Sequence, residues 1–150
     1  MILYMRITTF TDYSLRVLIQ AALRHPQKIT VDEVAAAYGI SRNHLIKIVH
    51  ELGRAGFIAT QRGRSGGFTL ARPANRISIA DVVKFGESGH PVLECFDPAN
   101  NACVITPACR LKGIFAKAMS AFYAALDQHT LADVMIRPDA LLRHLGLSAA

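Results

Sequence analysis

No stretch of the 150-residue sequence approaches the roughly 20 consecutive apolar residues that a membrane-crossing helix requires. The opening Met-Ile-Leu-Tyr-Met-Arg places no charged region ahead of its apolar residues, so the pattern of an export signal is missing. The expectation is a cytoplasmic protein with no membrane partner. Met5 can serve as initiator as well as Met1, because helical patterning begins only after it. Cysteine is scarce and odd in number, at Cys95, Cys103 and Cys109. Three cysteines without an export signal make a poor disulfide framework and point to metal binding or thiol chemistry. Internal repeats and low-complexity segments are absent. His25, His50, His129 and His144 lie on expected helix ends or faces with no matching nucleophile pattern, so the sequence does not read as an enzyme.

What is present is basic charge, and it is localised. Lys and Arg number 17 against 11 Asp and Glu, for a formal charge of +6, which favours polyanionic partners. Between Ser41 and Arg76 stand Arg42, Lys47, Arg54, Arg62, Arg64, Arg72 and Arg76 against the single acidic Glu51, while the rest of the chain is balanced. A polyanion site is expected in that span. Hydrophobic residues make up 51% of the chain, enough for one compact domain or a small domain with a dimerisation arm.

Apolar periodicity and end signals divide the chain further. Phe10 to Leu23 reads as a helix ended near Pro26. Thr30-Val31-Asp32-Glu33 is a capping box that opens a second helix, closed at Gly39. Ser41 is expected to cap a third, with Leu45, Ile46, Val49 and Leu52 at helical spacing. Phe57-Ile58-Ala59-Thr60 and Gly67-Phe68-Thr69-Leu70 then flank Arg62-Gly63-Arg64-Ser65-Gly66 as a β-hairpin with a basic tip. Ser78 opens a helix to about Phe85. From Gly86 to Pro107 the pattern breaks, and a structureless segment of that length is usually functional. Arg110 to Gln128 carries Leu111, Ile114, Phe115, Ala118, Met119, Phe122 and Leu126 as one long apolar stripe, for which a second copy of the chain is the expected partner. Thr130-Leu131-Ala132-Asp133 caps one more short helix.

The fold expected is mainly α with a small β-hairpin wing. It comprises a winged helix-turn-helix head over 5–86, a cysteine-rich segment over 87–109, and a long dimerisation helix with a C-terminal helix over 110–150. In a helix-turn-helix the first residues of the second helix meet base edges in the major groove of double-stranded DNA. Here these are Ser41, Arg42, Asn43 and His44, with Lys47 one turn later. Arg suits guanine and Asn suits adenine. The tip residues Arg62 and Arg64 would reach the minor groove or phosphates.

The cysteines are separated by seven and five residues. A loop can fold three thiolates around one centre, and soft thiolates select zinc, copper(I) or iron–sulfur clusters. A structural zinc site completed by His90 or an acidic residue is one alternative, although the paired C-x₂-C knuckles of common zinc modules are missing. A metal-free thiol switch, with Arg110 beside Cys109 favouring a thiolate, is another.

The chain resembles the NsrR branch of the winged-helix iron–sulfur regulators that also include IscR. The likeness is carried by Met5-Arg6-Ile7-Thr8 leading to Thr11-Asp12-Tyr13-Ser14-Leu15-Arg16, by Arg62-Gly63 with Gly66-Gly67-Phe68, and by Glu94-Cys95-Phe96 with Cys109-Arg110-Leu111. IscR-like members have shorter, glycine-bearing cysteine loops and a histidine shortly after the last cysteine, where this chain has Arg110, Leu111 and Lys112. The resemblance implies a homodimeric repressor on a palindromic operator, holding a nitric-oxide-sensitive cluster of the [4Fe-4S] type, with [2Fe-2S] as the alternative. It implies control of nitric oxide detoxification genes, with DNA released when the cluster is lost or reacts. It also implies a fourth ligand, Asp12, donated across the dimer to Cys95, Cys103 and Cys109 of the other subunit. The simpler reading of Asp12 is that it caps or balances the N-terminus of its own helix.

Overall fold

The computed structural model describes residues 6–63 and 65–148. Met5 and Arg64 fall outside them. The elements run α1 (Thr9–Arg24), α2 (Val31–Tyr38), α3 (Arg42–Arg54), β1 (Ile58–Gln61), β2 (Gly67–Leu70), α4 (Ile79–Gly86), α5 (Leu111–Asp127), α6 (Leu131–Val134) and α7 (Pro138–His144). This is the mainly helical, winged helix-turn-helix architecture expected.

Local chemistry sets most of the boundaries. Thr8, not Asp12, caps α1 by accepting from Thr11 N–H. The capping box of α2 is complete: the Thr30 N–H donates to Glu33 Oε2 at 2.6 Å, and the Glu33 N–H to Thr30 Oγ1 at 3.2 Å. Gly39 ends α2 at φ +64°, a left-handed conformation that glycine takes without a Cβ penalty. Ser41 occupies the cap position of α3, but its hydroxyl makes no capping bond. The inward face of α3 also differs from the expectation. Leu45, Ile48, Val49 and Leu52 are buried, while Ile46 is 43% exposed. At about 100° per residue, Ile48, Val49 and Leu52 all fall within about 60° of Leu45 round the helix, whereas Ile46 lies about 100° away and outside that face.

The wing is a two-stranded antiparallel ribbon pairing Ile58 with Leu70 and Gln61 with Gly67. Ile29 adds a bridge the sequence did not announce, exchanging main-chain bonds with Phe68 at 3.0 and 2.8 Å. That close approach explains the glycine pair. A Cβ on Gly67, which has φ +152°, would lie 2.7 Å from the Ile29 carbonyl oxygen, and one on Gly66 would lie 2.8 Å from those of Gln61 and Gly63. Gly67→Ala is therefore expected to destabilise the head by about 1–3 kcal/mol, read from denaturant unfolding.

The core joins α1, α2, α3, the ribbon and α4 through Val17, Leu18, Val34, Leu45, Phe68 and Val82. Leu131 belongs to the same core, because α6 returns to the head: the Leu131 N–H donates to the Ile77 carbonyl at 2.8 Å, and the Ile79 N–H to that of His129 at 3.0 Å. A second capping box, Thr130 with Asp133, starts α6. Helix α7 was not evident from periodicity. It is seven residues long and opens with Pro138 in its first turn.

Helix α5 buries none of its residues fully. It packs on α4, yet Leu111 is 46% and Ile114 62% exposed. Residues 87–109 hold one 3-10 turn, Glu94–Phe96, among local turns.

Candidate DNA interface and cysteine site

Ser41, at the cap position of α3, and Arg42, Asn43, His44 and Lys47 on the helix are all exposed. Asn43, His44 and Lys47 line a depression of about 230 Å³ together with Thr9, Phe10 and Tyr13 of α1. This exposed face of α3 is thus walled on one side by the start of α1. Arg42 donates from Nε to Asp32 Oδ1 of α2 at 2.6 Å. Both side chains of this pair are well exposed, so it adds little stability. It engages Nε, and among the described residues the two terminal guanidinium nitrogens make no hydrogen bond. Asp32 was passed over in the sequence, where its only signal was an acid in the first turn of α2.

Arg62 is exposed just beyond β1. Lys28 was also missed: its Nζ donates to Gln61 Oε1 at 2.7 Å and to the Ser65 carbonyl at 2.9 Å, bracing both sides of the tip.

The three cysteines are free thiols on one depression of about 200 Å³, shared with Leu93, Glu94, Ile105, Thr106, Leu111 and Lys112. Cys95 lies in the 3-10 turn, and Cys109 stands one residue before the Arg110 cap position of α5. Asn101 and Thr106 organise the middle of the segment. The Cys103 N–H donates to Asn101 Oδ1 at 3.1 Å, and Thr106 Oγ1 donates to the Cys103 carbonyl at 2.8 Å. The Ala102 N–H donates to Glu94, tying Cys103 back towards Cys95. Among the described residues no three His, Cys, Asp or Glu side chains converge closely enough to hold a single metal ion. In donor type and in facing one depression, the cysteines nevertheless fit a soft polynuclear centre.

His90 lines a different and larger cavity, of about 470 Å³, with Arg6, Thr8, Glu87, Phe96 and Tyr123 among its walls. Asp12 does not line the cysteine depression of its own chain. Its carboxylate takes two bonds from Arg16, at 3.2 and 2.7 Å, and the Arg16 guanidinium lies over the rings of Tyr13 and Tyr38. No described helix is long and apolar enough to cross a membrane.

A family model for Rrf2, described as iron-dependent transcriptional regulators, matches residues 7–137. The chain belongs to the Rrf2 family. It is 44% identical to the transcriptional regulator NsrR of Shouchella clausii over 138 residues, 91% of this chain and 93% of that one. It is 40% identical to NsrR of Bacillus subtilis, over 95% of this chain and 99% of the relative. In fold it is similar to IscR of T. potens, with TM-score 0.69 and 22% identity over 88% of this chain and 87% of that one. As an Rrf2 member with these relatives, it is a DNA-binding transcriptional regulator and not an enzyme.

Proposed function

We propose that this Rrf2 protein is a homodimeric repressor whose hold on a palindromic operator is governed by an iron–sulfur cluster and relieved by nitric oxide. The observation that carries the reading is that Cys95, Cys103 and Cys109 all line one depression, in the segment between the end of the head and the start of α5. The likeness to NsrR supports nitric oxide as effector and [4Fe-4S] over [2Fe-2S]. When bound, such a cluster supplies iron that nitric oxide attacks. The chain supplies the rest. Residues 5–86 read DNA, 87–109 hold the three thiolates, and 110–150 pair two copies through the apolar face of α5 that α4 leaves open.

In this reading Ser41, Arg42, Asn43, His44 and Lys47 enter the major groove, while Arg62 and Arg64 follow the adjacent minor groove or backbone. Arg62→Ala is expected to lower affinity most where the half-sites are flanked by narrow A·T-rich minor grooves, measured by gel shift on matched operators. Equal losses on A·T-rich and G·C-rich flanks would reduce Arg62 to a phosphate contact.

Asp12 of one subunit is proposed as the fourth ligand to the cysteines of the other. Its absence from its own chain's cysteine depression and its half-exposed carboxylate support donation outward. Anaerobic purification, with iron, sulfide and a visible spectrum, tests the cluster, and bleaching with loss of DNA binding on adding nitric oxide tests the effector. Subunit mixing tests Asp12. Pairing an Asp12→Ala chain with a chain lacking all three cysteines leaves one intact site per heterodimer if ligation crosses the dimer, and none if it stays within a subunit. An Asp12→Ala homodimer with an unaltered spectrum and unaltered nitric oxide kinetics would remove Asp12 from the ligand set.

A further inference from the structure

The cysteine segment begins where α4 ends, and at that point the chain touches α1. Glu87 follows the last residue of α4. Its Oε1 accepts from the Thr8 N–H at 2.8 Å, from the Thr8 hydroxyl at 2.9 Å, and from the hydroxyl of Thr11. Thr8 is the cap residue of α1, and Thr11, in its first turn, is fully buried. A carboxylate from 79 positions away therefore satisfies a main-chain donor at the start of α1 and places negative charge at the positive end of its dipole. Gly86 belongs to the same joint. A Cβ there would overlap Oγ1 of Thr11, so glycine is what lets the two helix ends meet.

The surroundings connect this joint to the cysteine segment. Phe96 of that segment and Arg6–Thr8, the residues leading into α1, line the same 470 Å³ cavity. Glu87 and Thr8 line it too, and the hydrogen bonds between them join the two segments directly. Downstream, Thr9, Phe10 and Tyr13 form one wall of the depression that holds Asn43, His44 and Lys47. A shift at the start of α1 moves that wall.

We propose that Glu87 is the positioning residue that couples the cysteine segment to the DNA-reading helix, by holding the start of α1 through Thr8 and Thr11. The proposal rests on the reading of the cysteines and of α3 given above, and it supplies the path that reading requires. Coupling between two sites needs an element whose arrangement both sites bias. Here the element is the α4–α1 joint: rearrangement of the segment starting at Glu87 alters the hold on Thr8 and Thr11. Burial pushes the Glu87 carboxyl up, but the bonds from Thr11 and Thr8, with His90 nearby, outweigh it and keep its pKa below the usual value. The charged form that makes three acceptor contacts is thus the one present near neutral pH.

The test compares DNA affinity before and after nitric oxide treatment in the full-length dimer, at matched cluster content. Wild type is expected to lose at least about tenfold in affinity, and Glu87→Ala to change by less than about threefold, because the joint is already open in both states. Thr11→Val, which keeps the volume and removes the hydroxyl, should behave like Glu87→Ala, and Thr11→Ser like wild type. A structural role alone would weaken binding equally in both states and keep the wild-type ratio, and that result overturns the proposal. Amide hydrogen exchange over residues 8–14 gives a second readout, with protection falling on treatment in wild type and low throughout in Glu87→Ala. Failure of the cluster reading shows separately, as absence of iron and sulfide from the wild type. The joint is then judged with the cysteines carrying N-ethylmaleimide, and α1 exchange that ignores that modification in wild type overturns it as well.

Discussion

Replacement of any one of Cys95, Cys103 or Cys109 by Ser is expected to abolish cluster loading outright while leaving the fold in place. The basis for the first half is the donor set. The chain contains three cysteines, all lining one depression, so each substitution removes a third of the available thiolates. A serine hydroxyl is a harder and far weaker ligand for iron than thiolate. The basis for the second half is location. None of the three belongs to the core, Cys103 is exposed, and local bonds through Asn101, Thr106 and Glu94 hold the cysteine-bearing part of the segment. Iron and sulfide per chain should fall to background, with circular dichroism and the unfolding midpoint close to wild type. Equimolar zinc, with neither iron nor sulfide in wild type prepared without oxygen, would replace the cluster by a structural zinc site. A colourless, metal-free protein that still changes DNA affinity on thiol oxidation would favour a thiol switch.

The second large effect is expected at the start of α3. Arg42→Ala and Asn43→Ala should each cost about 1–3 kcal/mol on the cognate operator and relax base preference at one position in each half-site. Arg42 is the sharper test because Asp32 already fixes its Nε, so its terminal nitrogens are presented with less entropy to lose. Lys47→Ala should instead weaken binding across sequences and lower the salt slope by about one, as expected for a phosphate contact. Fluorescence anisotropy on operator variants over a range of salt separates the two behaviours. Unchanged affinity and selectivity for both Arg42→Ala and Asn43→Ala would mean that α3 is not the reading helix.

How much of this was legible beforehand depends on the range of the interaction. The α2 and α6 starts were readable because the capping boxes Thr30/Glu33 and Thr130/Asp133 close within four residues. Gly39 was readable because a left-handed residue between two apolar-periodic runs leaves a short signal. The cysteine depression was half legible. Spacing brought the three thiols into one segment, but their shared depression depends on Asn101, Thr106 and Glu94, whose roles have no signature. Ile46 was misassigned because a short amphipathic run fits two neighbouring faces of a helix, and only the position of α1 selects Leu45, Ile48, Val49 and Leu52.

By itself, then, the sequence determined the element types, the turn between α2 and α3, the basic character of the wing and the chemistry of the thiol segment. Each of these follows from backbone preferences and side-chain types acting within a few residues. The tertiary structure alone decided that Ile29 pairs with Phe68, that Leu131 returns to the head beside Ile77, that Asp32 binds Arg42 and that Glu87 accepts from Thr8 and Thr11 at the start of α1. Those partners are not neighbours along the chain, and any exposed carboxylate or apolar side chain serves equally well until folding brings one of them within hydrogen-bonding or packing distance.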